Sequence, residues 1–484
     1  MGVQFSFDNS YARLPAGFYA RLEPTKVSAP RLVRVNAALA EELGLDVAAL
    51  ASDEGVAVLA GNILPLGAAP IALAYAGHQF GNFVPQLGDG RAILLGEVVG
   101  RDGARRDVQL KGAGPTPFSR GGDGRAALGP VLREYMISEA MAALGVPTTR
   151  ALAAVITGDA VLRETPLPGA VLTRVAASHV RVGTFQYFAA RGDTGAVRQL
   201  ADHVIARHYP DAATEENPYG ALLENVVARQ AALVAHWLLI GFIHGVMNTD
   251  NCTISGETID FGPCAFMDVY DPATVFSSID RNGRYSYGNQ SRIAHWNLCR
   301  FAETLLPLLD TNGEKSVASA KEALAGFGPV FEAVYRGGLR RKIGLLDAHE
   351  GDDDLTQALL RAMAENRADF TLTFRKLGDS AVARELFADP TAFDAWAARW
   401  RVRLGEEGAT AEDRRAAMEV ENPAVIPRNH LVEEALAAAV EQDDFAPFEA
   451  LLTVLMRPFD EPGDTRFTQP PAVDDRAYQT FCGT

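Results

Sequence analysis

The stretch HGVMNTDNCTISGETIDFG, residues 244–262, carries the side chains that decide which fold and which chemistry this chain can have. Asp250 and Asn251 are neighbours, and Asp260 opens an Asp-Phe-Gly sequence after the strand-like TISGETI. Carboxylate and amide oxygens suit a hard cation such as Mg²⁺, and a carboxylate can also take a proton from a hydroxyl. The alternative is an ordinary turn, for which Asn and Asp are typical.

The spacing within this stretch departs from the pattern of protein kinases. In His-x-Asp-x-x-x-x-Asn the catalytic Asp lies five residues before the Asn. The residue at that distance from Asn251 is Val246, which can neither accept a proton nor hold a metal. The available carboxylate is Asp250, directly beside the Asn. The stretch therefore indicates either an inactive kinase or an enzyme that does different chemistry with kinase-like groups.

A lysine and a glutamate upstream fit the same kind of site. Lys111 ends RRDVQLKG (105–112), where Val108 and Leu110 alternate with polar residues as in a half-buried strand. Glu134 lies in PVLREYMISEAMAALGV (130–146), which we predict to be a helix. In kinase-like folds a strand lysine grips nucleotide phosphates and a helix glutamate positions it. The order of Lys, Glu, Asn and Asp-Phe-Gly outweighs the weakness of each signal alone.

The segment QLGDGRA (86–92) is the first of two glycine-rich segments around that lysine strand. Gly88 and Gly90 precede Arg91, and glycines let the backbone approach a phosphate closely. Asp-Gly is also a strong signal for a tight hairpin turn. Without further context the turn is the favoured interpretation.

The second segment, KGAGPTPFSRGGDGRAALG (111–129), joins the strand to the helix. It is basic within an acidic protein, and loops that lead into a helix N-terminus favour anions, so we expect a binding function. Farther on, Arg174 and Arg181 are either solvated strand residues or bidentate phosphate ligands. The sequence alone favours neither interpretation.

The rest of the chain divides into a strand-rich part and a helical part. Strand-like runs continue to about residue 187, and alanine-rich helical segments follow, beginning with ENVVARQAALVAHWLLIGFIHG (224–245). The acidic run EGDDD (350–354) is interpreted as a solvated loop. We predict an α+β fold with a β-rich N-terminal lobe (1–187), a large helical C-terminal lobe (188–484) and a site in the cleft between them.

Composition excludes several classes of protein. The chain has 484 residues and is 48% hydrophobic, which is enough for more than one core. Its net charge of −16 repels nucleic acid and anionic lipid, so we expect neither as a partner. No apolar run approaches the roughly 18 residues of a membrane span, and no secretory signal pattern opens the chain. We therefore expect a cytoplasmic protein.

Taken together, four long motifs resemble the selenoprotein O (SelO, YdiU) family. The similarity extends from FDNSYARLP (7–15) to the C-terminal FCGT. The motifs that carry it are YAGHQFGNFVPQLGDGRAILLGE (75–97), LKGAGPTPFSRGGDGRA (110–126), SEAMAALGVPTTRAL (138–152), and HGVMNTDN with TIDFGPCAFMD (244–251 and 258–268).

The resemblance implies a protein-kinase-like, two-lobed fold and a specific activity. The family transfers AMP, not phosphate, from ATP to Ser, Thr or Tyr hydroxyls of proteins. ATP lies reversed, with the γ-phosphate buried and the α-phosphate presented. Asn251 and Asp260 would hold Mg²⁺ or Mn²⁺, Asp250 would accept the proton, and Glu134 would pair with Lys111. The residues implied to bind the nucleotide are Gly88, Gly90, Arg91, Lys111, Asp123, Gly124, Arg174, Arg181 and, through the metal, Asp260.

The chain departs from the family pattern at positions that carry no reacting group. Phe261 stands where Tyr is common, and Gly129-Pro130 replaces a more Ser-like pair before the helix. The chain has four cysteines, whose spacing suits no zinc site. Cys482 lies where some relatives carry selenocysteine or a redox cysteine. We expect Cys264 and Cys482 to be free thiols, with a regulatory disulfide between them as the alternative.

Three other functions remain open at this point. The chain could transfer UMP from UTP, act as a kinase that moves the γ-phosphate, or bind nucleotide as a non-catalytic pseudokinase regulator. Val246 argues against the kinase, and the regulator would leave Asp250 and the metal ligands without a use.

Overall fold

An antiparallel sheet of eight strands forms the first part of the chain. We describe it from a computed structural model that covers residues 3–471 and residue 480. The strand order is β1-β3-β6-β7-β10-β9-β2, and β8 pairs with β10. The sheet strands are β1 (Tyr19–Arg21), β2 (Arg31–Val35), β3 (Ile71–Leu73), β6 (Ala92–Val99), β7 (Arg105–Lys111), β8 (Ala126–Ala127), β9 (Arg150–Leu162) and β10 (Pro166–Ala176). Two further antiparallel pairs are β4 (Gly77–Gln79) with β5 (Asn82–Val84), and β11 (Phe242–Ile243) with β12 (Ala265–Phe266).

The register of the central strands places the predicted lysine and an arginine on one face of the sheet. Lys111 in β7 lies opposite Leu172 in β10, and Gln109 lies opposite Arg174. Because side chains alternate along a strand, Lys111 and Arg174 point to the same side. That side of β7 is covered: Gln109 is fully buried, so the expected half-solvated strand is buried on both faces. Gln109 is tolerated there because its Nε2 donates a 3.1 Å hydrogen bond to Oδ2 of Asp89 and its Oε1 accepts one of 3.4 Å from Arg174.

The predicted glutamate helix is confirmed as α4 (Leu128–Ala143), which packs on β9 and β10. Its apolar residues, such as Leu132 and Met136, are fully buried. The helix ends where Gly145 adopts a φ of +77°, a left-handed conformation that a glycine takes without strain. Glu134 therefore projects from a rigid helix that is held against the sheet.

Most of the remaining chain is helical, as the alanine-rich segments predict. The helices other than α4 are α1 (Ala37–Glu42), α2 (Val47–Leu50), α3 (Asp53–Leu59), α5 (Val182–Ala189), α6 (Thr194–His208), α7 (Pro218–Leu239), α8 (Gln290–Leu309), α9 (Gly313–Ala325), α10 (Phe327–Lys342), α11 (Asp352–Asn366), α12 (Phe370–Lys376), α13 (Ser380–Arg384), α14 (Pro390–Leu404), α15 (Ala411–Glu421), α16 (Asn429–Gln442) and α17 (Ala446–Leu455). The largest apolar core joins residues from Tyr11 to Phe467, so strands and helices share it. In the described part of the chain, no helix is long and apolar enough to span a membrane.

Three local predictions are wrong. The helix predicted over 224–245 is α7, which starts earlier and ends at Leu239 because Gly241 turns the backbone at a φ of +73° before β11. TISGETI forms isolated bridges at Thr253 and Thr258 and no continuous strand. The run EGDDD is no solvated loop but opens α11. There Asp352 is buried and its Oδ1 accepts a 2.7 Å hydrogen bond from Arg403.

Candidate active site

A buried network of charges joins the lysine strand, the glutamate helix and the Asp-Phe-Gly sequence. Lys111 forms an ion pair with Glu134, and its Nζ lies 3.0 Å from Oδ1 of Asp260. The Nε of Arg174 donates a 2.8 Å hydrogen bond to Oε1 of Glu134. Burial acts to raise the pKa of Glu134, but the charges of Arg174 and Lys111 outweigh burial and lower it. Glu134 is therefore an anion that fixes two cations.

Asp260 is the residue of this network that borders both cavities of the site. Its φ of +69° is unusual for a residue with a side chain, which indicates a backbone held in place by its surroundings. Burial acts to raise the pKa of Asp260, but Lys111, Arg174 and Arg91 together hold it far below its usual range. The next residue, Phe261, is buried in the main core and anchors the turn. Asp260 is thus a fixed carboxylate whose charge is maintained by three cations.

Asp250 is held in place by the hairpin of β4 and β5. His78 donates its backbone N–H to Oγ1 of Thr249 at 2.7 Å, and Gln79 donates from Nε2 to Oδ2 of Asp250 at 3.3 Å. Gly77 packs so closely that a Cβ there would lie 2.4 Å from Oδ1 of Asp250. Any larger residue at position 77 would therefore displace the carboxylate.

The environment of Asp250 disfavours its charged form. The side chain is buried, and its Oδ1 has no hydrogen-bond partner among the residues that the structure describes. Burial raises the pKa of Asp250 to about 6, although Arg181 acts to lower it. The Nη1 of Arg181 donates 2.9 Å to the backbone oxygen of Asp250, and the guanidinium stacks on Tyr75 at 4.6 Å. A carboxylate that lines a cavity and has a raised pKa is suited to accept a proton.

Asn251 occupies a position suited to binding a cation. Its Nδ2 donates a 3.0 Å hydrogen bond to the backbone oxygen of Val246, which leaves the amide oxygen of Asn251 for another partner. Val246 thus supports Asn251 through its main chain and contributes no chemical group. Asn251 and Asp260 line the same cavity, and their two oxygens fit a Mg²⁺ ion that takes its other ligands from phosphates and water. Within residues 3–471 and 480, no cluster of three or more His, Cys, Asp or Glu could hold a metal by itself.

The glycine-rich segments form the opposite wall of that cavity. Gly88 has a φ of +80°, and a Cβ at Gly90 would lie 2.9 Å from the backbone oxygen of Phe118, so both positions require glycine. β5 and β6 do not pair, and the tight hairpin predicted between them is wrong. Gly124 also takes a positive φ, and the neighbouring Asp123 forms a 2.9 Å ion pair with Arg163. The two segments pack against each other and build one wall.

Most of the predicted residues meet around one cavity of about 430 Å³. Lys111 and Glu134 lie instead on a neighbouring cavity of about 500 Å³, and the two cavities share Arg91 and Asp260. Arg174 and Arg181 are buried behind the walls and act through Glu134 and Asp250. The predicted residues that line the first cavity are Gly88, Gly90, Arg91, Asp123, Gly124, Asp250, Asn251 and Asp260.

Sequence reasoning missed the residues that support the reacting groups. Gln79 donates a hydrogen bond to Asp250, and the ring of Tyr75 stacks on the guanidinium of Arg181. The side-chain oxygen of Asn248 accepts hydrogen bonds from the backbone N–H of Phe80 at 3.0 Å and from Oη of Tyr285 at 2.7 Å. Gln79 and Tyr75 lie in the motif 75–97, from which only the last glycines and Arg91 were selected. The length of that motif was the available signal, since the hairpin turn alone would not require so many specific residues.

Cys252 and Cys264 are buried free thiols, and Cys299 is a partly exposed one. Burial raises the pKa of Cys264 to about 12, which keeps its thiol protonated at neutral pH. The free thiol expected at Cys264 is thus confirmed, while Cys482 lies outside the described residues and its expected free thiol stays a prediction.

Replacing Glu134 with glutamine is expected to destabilise the protein by about 3 kcal/mol, because two buried cations lose their shared anion. Thermal or denaturant unfolding measures this loss. The matched control is Glu419→Gln, which breaks the exposed pair with Arg415 and is expected to change stability by less than about 0.5 kcal/mol. Equal stabilities of the two variants would contradict the assignment of Glu134 as the anchor of the network.

Comparison of the amino-acid sequence with known proteins identifies the family of this chain. A family model described as "Protein adenylyltransferase SelO" matches residues 2–456. A relative named "Protein nucleotidyltransferase YdiU" from Methylorubrum extorquens is 65% identical over 100% of both chains. Relatives of the same name from a Bradyrhizobium species and from Rhodopseudomonas palustris are 63% and 62% identical, again over 100% of both chains.

Proposed function

This chain belongs to the protein adenylyltransferase SelO family and is a nucleotidyltransferase, and on that premise we propose that it transfers AMP from ATP to Ser, Thr or Tyr hydroxyls of proteins. The observation that carries the proposal is the placement of Asp250. The carboxylate of Asp250 lines the same cavity as Asn251 and Asp260, whereas the position of a kinase base holds Val246. Asp250, Asn251 and Asp260 could together activate a hydroxyl, but the proton acceptor would lie at a different position in the loop than in an ordinary kinase.

The distribution of cations supports a nucleotide bound with its phosphate tail inward. Arg174 and Arg181 are buried and the side chain of Lys111 is only 12% exposed, and their charges could offset the desolvation of a triphosphate. At the outer wall, Gly88, Gly90, Asp123 and Gly124 leave room for the rest of the nucleotide. In this orientation the α-phosphate would face the acceptor hydroxyl.

The reaction that fits this arrangement is an in-line displacement at the α-phosphorus. The acceptor hydroxyl gives its proton to Asp250 as its oxygen bonds to the α-phosphorus, and the bond to the bridging oxygen of pyrophosphate breaks. Asn251 and Asp260 would hold Mg²⁺ or Mn²⁺, which supplies positive charge to the phosphates. Lys111, fixed by Glu134, would hold the leaving pyrophosphate, while Arg174 and Arg181 would keep Glu134 and Asp250 in position. Positioning and electrostatics would supply most of the acceleration.

We also propose the protein-kinase-like, two-lobed arrangement for this fold, with lobes of residues 1–187 and 188–484. The sheet with α4 in the first part and the helices of the second support it, and residues of both parts line the cavity. The acceptor would then enter between the lobes.

Nucleotides labelled at different phosphates test the activity. The protein is incubated with Mg²⁺ or Mn²⁺, a mixture of candidate acceptor proteins, and ATP labelled at the α- or the γ-phosphate. We expect protein-bound label from α-labelled ATP only. Label from γ-labelled ATP would indicate a kinase, preferential label from α-labelled UTP would indicate UMP transfer, and nucleotide binding without any transfer would indicate a regulator.

A further inference from the structure

A basic aromatic patch lies beside the candidate active site, and its residues line neither of the two cavities. We define it by His78 and Phe83 of the β4–β5 hairpin and by Arg284, Trp296 and Arg300. The ring of His78 is 4.9 Å from that of Phe83 and meets Trp296 edge-on at 5.3 Å. Arg284 and Arg300 both lie over Trp296, at 4.8 and 5.2 Å. Two guanidinium groups are therefore held on one indole ring.

The positive charge of this patch is only partly compensated. Arg300 pairs with Glu303 at 2.6 Å, but among the residues that the structure describes no acidic side chain pairs with Arg284. The Nε of Arg284 is buried without a hydrogen-bond partner in the same set of residues. Burial lowers the pKa of His78, and the charges of Arg300 and Arg284 lower it further. The hydrogen bond with Gln186 acts to raise this pKa but does not outweigh them. In a protein of net charge −16, this is a local positive field.

The patch is connected to the candidate active site through the hairpin. Gly77 lies against Asp250, and a Cβ on Gly81 at the turn would be 3.5 Å from Cζ of Arg284. At about 3.3 Å per residue, this part of the hairpin spans roughly 10–13 Å. Two apolar side chains are exposed in this region: Ile279, which lines the cavity and is 59% exposed, and Phe83 of β5, which is 40% exposed. A polypeptide that reaches Asp250 from this side would pass over them.

We propose that this patch docks the acceptor polypeptide, and that it selects extended segments with an acidic residue about three or four positions from the hydroxyl that is modified. This inference rests on the proposed function and names its substrate class. The acidic side chain binds Arg284, for which an arginine fork on an aromatic ring is well suited. Ile279 and Phe83 contact apolar residues of the same segment.

Peptides with matched sequences test the proposal. Each carries one hydroxyl residue and Glu, Gln or Lys at the third and fourth positions on its N- or C-terminal side. With the wild-type protein and α-labelled ATP, we expect a KM about tenfold lower for the Glu peptide than for the Gln peptide on one of the two sides. Arg284→Glu is expected to reverse the order so that the Lys peptide is best. Arg284→Gln, which removes the positive charge without introducing a negative one, is expected to remove the preference.

The control is Arg457→Glu, which makes the same charge change at an exposed position outside both cavities and is expected to keep the preference for Glu. Equal KM values for all three peptides, or a preference for Glu that survives in both Arg284 variants, would overturn the docking proposal and leave AMP transfer standing. If no peptide is modified, the anisotropy of the same peptides carrying a fluorophore decides the question. Tighter binding of the Glu peptide to the wild type than to Arg284→Glu supports the patch, and equal binding refutes it.

Discussion

Replacing Asp260 with alanine should lower the rate of nucleotide transfer at least about a thousandfold. Among the described residues, Asp260 is the one carboxylate that borders both cavities, and three cations keep it ionised. Its loss would remove one of the two oxygen ligands that we propose for the metal. The measurement is single-turnover transfer of label from α-labelled ATP at saturating nucleotide.

Nucleotide binding distinguishes a lost ligand from a collapsed site. Lys111 and Arg174 remain paired with Glu134 in the variant, so metal-free nucleotide affinity should stay within about tenfold of the wild type. Asp211→Ala, which removes an exposed carboxylate on a distant turn, is the control and should transfer at the normal rate. A variant lacking Asp260 that retained more than a tenth of wild-type activity would rule out this residue as a metal ligand.

Replacing Asp250 with asparagine should slow transfer by about 10²- to 10⁴-fold. Asparagine keeps the shape of the side chain and can still accept the hydrogen bond from Gln79, but it cannot take a proton from the acceptor. The decrease should appear in kcat, while the KM for ATP changes little because the phosphate tail is bound elsewhere. Steady-state kinetics at fixed acceptor concentration measure both constants.

The stability of the Asp250→Asn variant provides its control. Oδ1 of Asp250 is buried without a partner among the described residues, so the neutral amide should leave the free energy of unfolding equal or higher. Asp271→Asn, at an exposed position, should affect neither rate nor stability. Near-normal transfer by Asp250→Asn would assign the proton acceptor to another group, and a loss of stability would make unfolding the cause of the decrease.

The local sequence pattern predicted an element correctly where the residues of that element are enough to determine its structure. The alternation at Val108 and Leu110 predicted β7, and Pro130 in the first turn with Gly145 at the end predicted α4. The local pattern predicted the wrong structure where contacts with residues distant in sequence determine it. EGDDD looked solvated, yet the partner that buries Asp352 is Arg403, far along the chain. Likewise, TISGETI has the composition of a strand but finds only isolated bridge partners among the described residues.

The candidate site divides in the same way. Its chemical groups could be selected from the sequence because Asp250, Asn251, Asp260, Lys111 and Glu134 occur in an order that few functions require. The hairpin that holds Asp250 could not be selected from the sequence, because Gly77 and Gln79 are important only through contacts with a loop far along the chain. A hydrogen bond of this kind has no local signature.

By itself, the sequence determined the family, the main strands and helices, and the residue types available for chemistry. Only the tertiary structure decided which charges are paired, which oxygen of Asp250 is free, and that the register of β7 and β10 puts Lys111 and Arg174 on one face with Glu134. The physical reason is range. Backbone preferences act over a few residues, whereas strand register, burial and charge compensation depend on atoms that are close in space and distant in sequence.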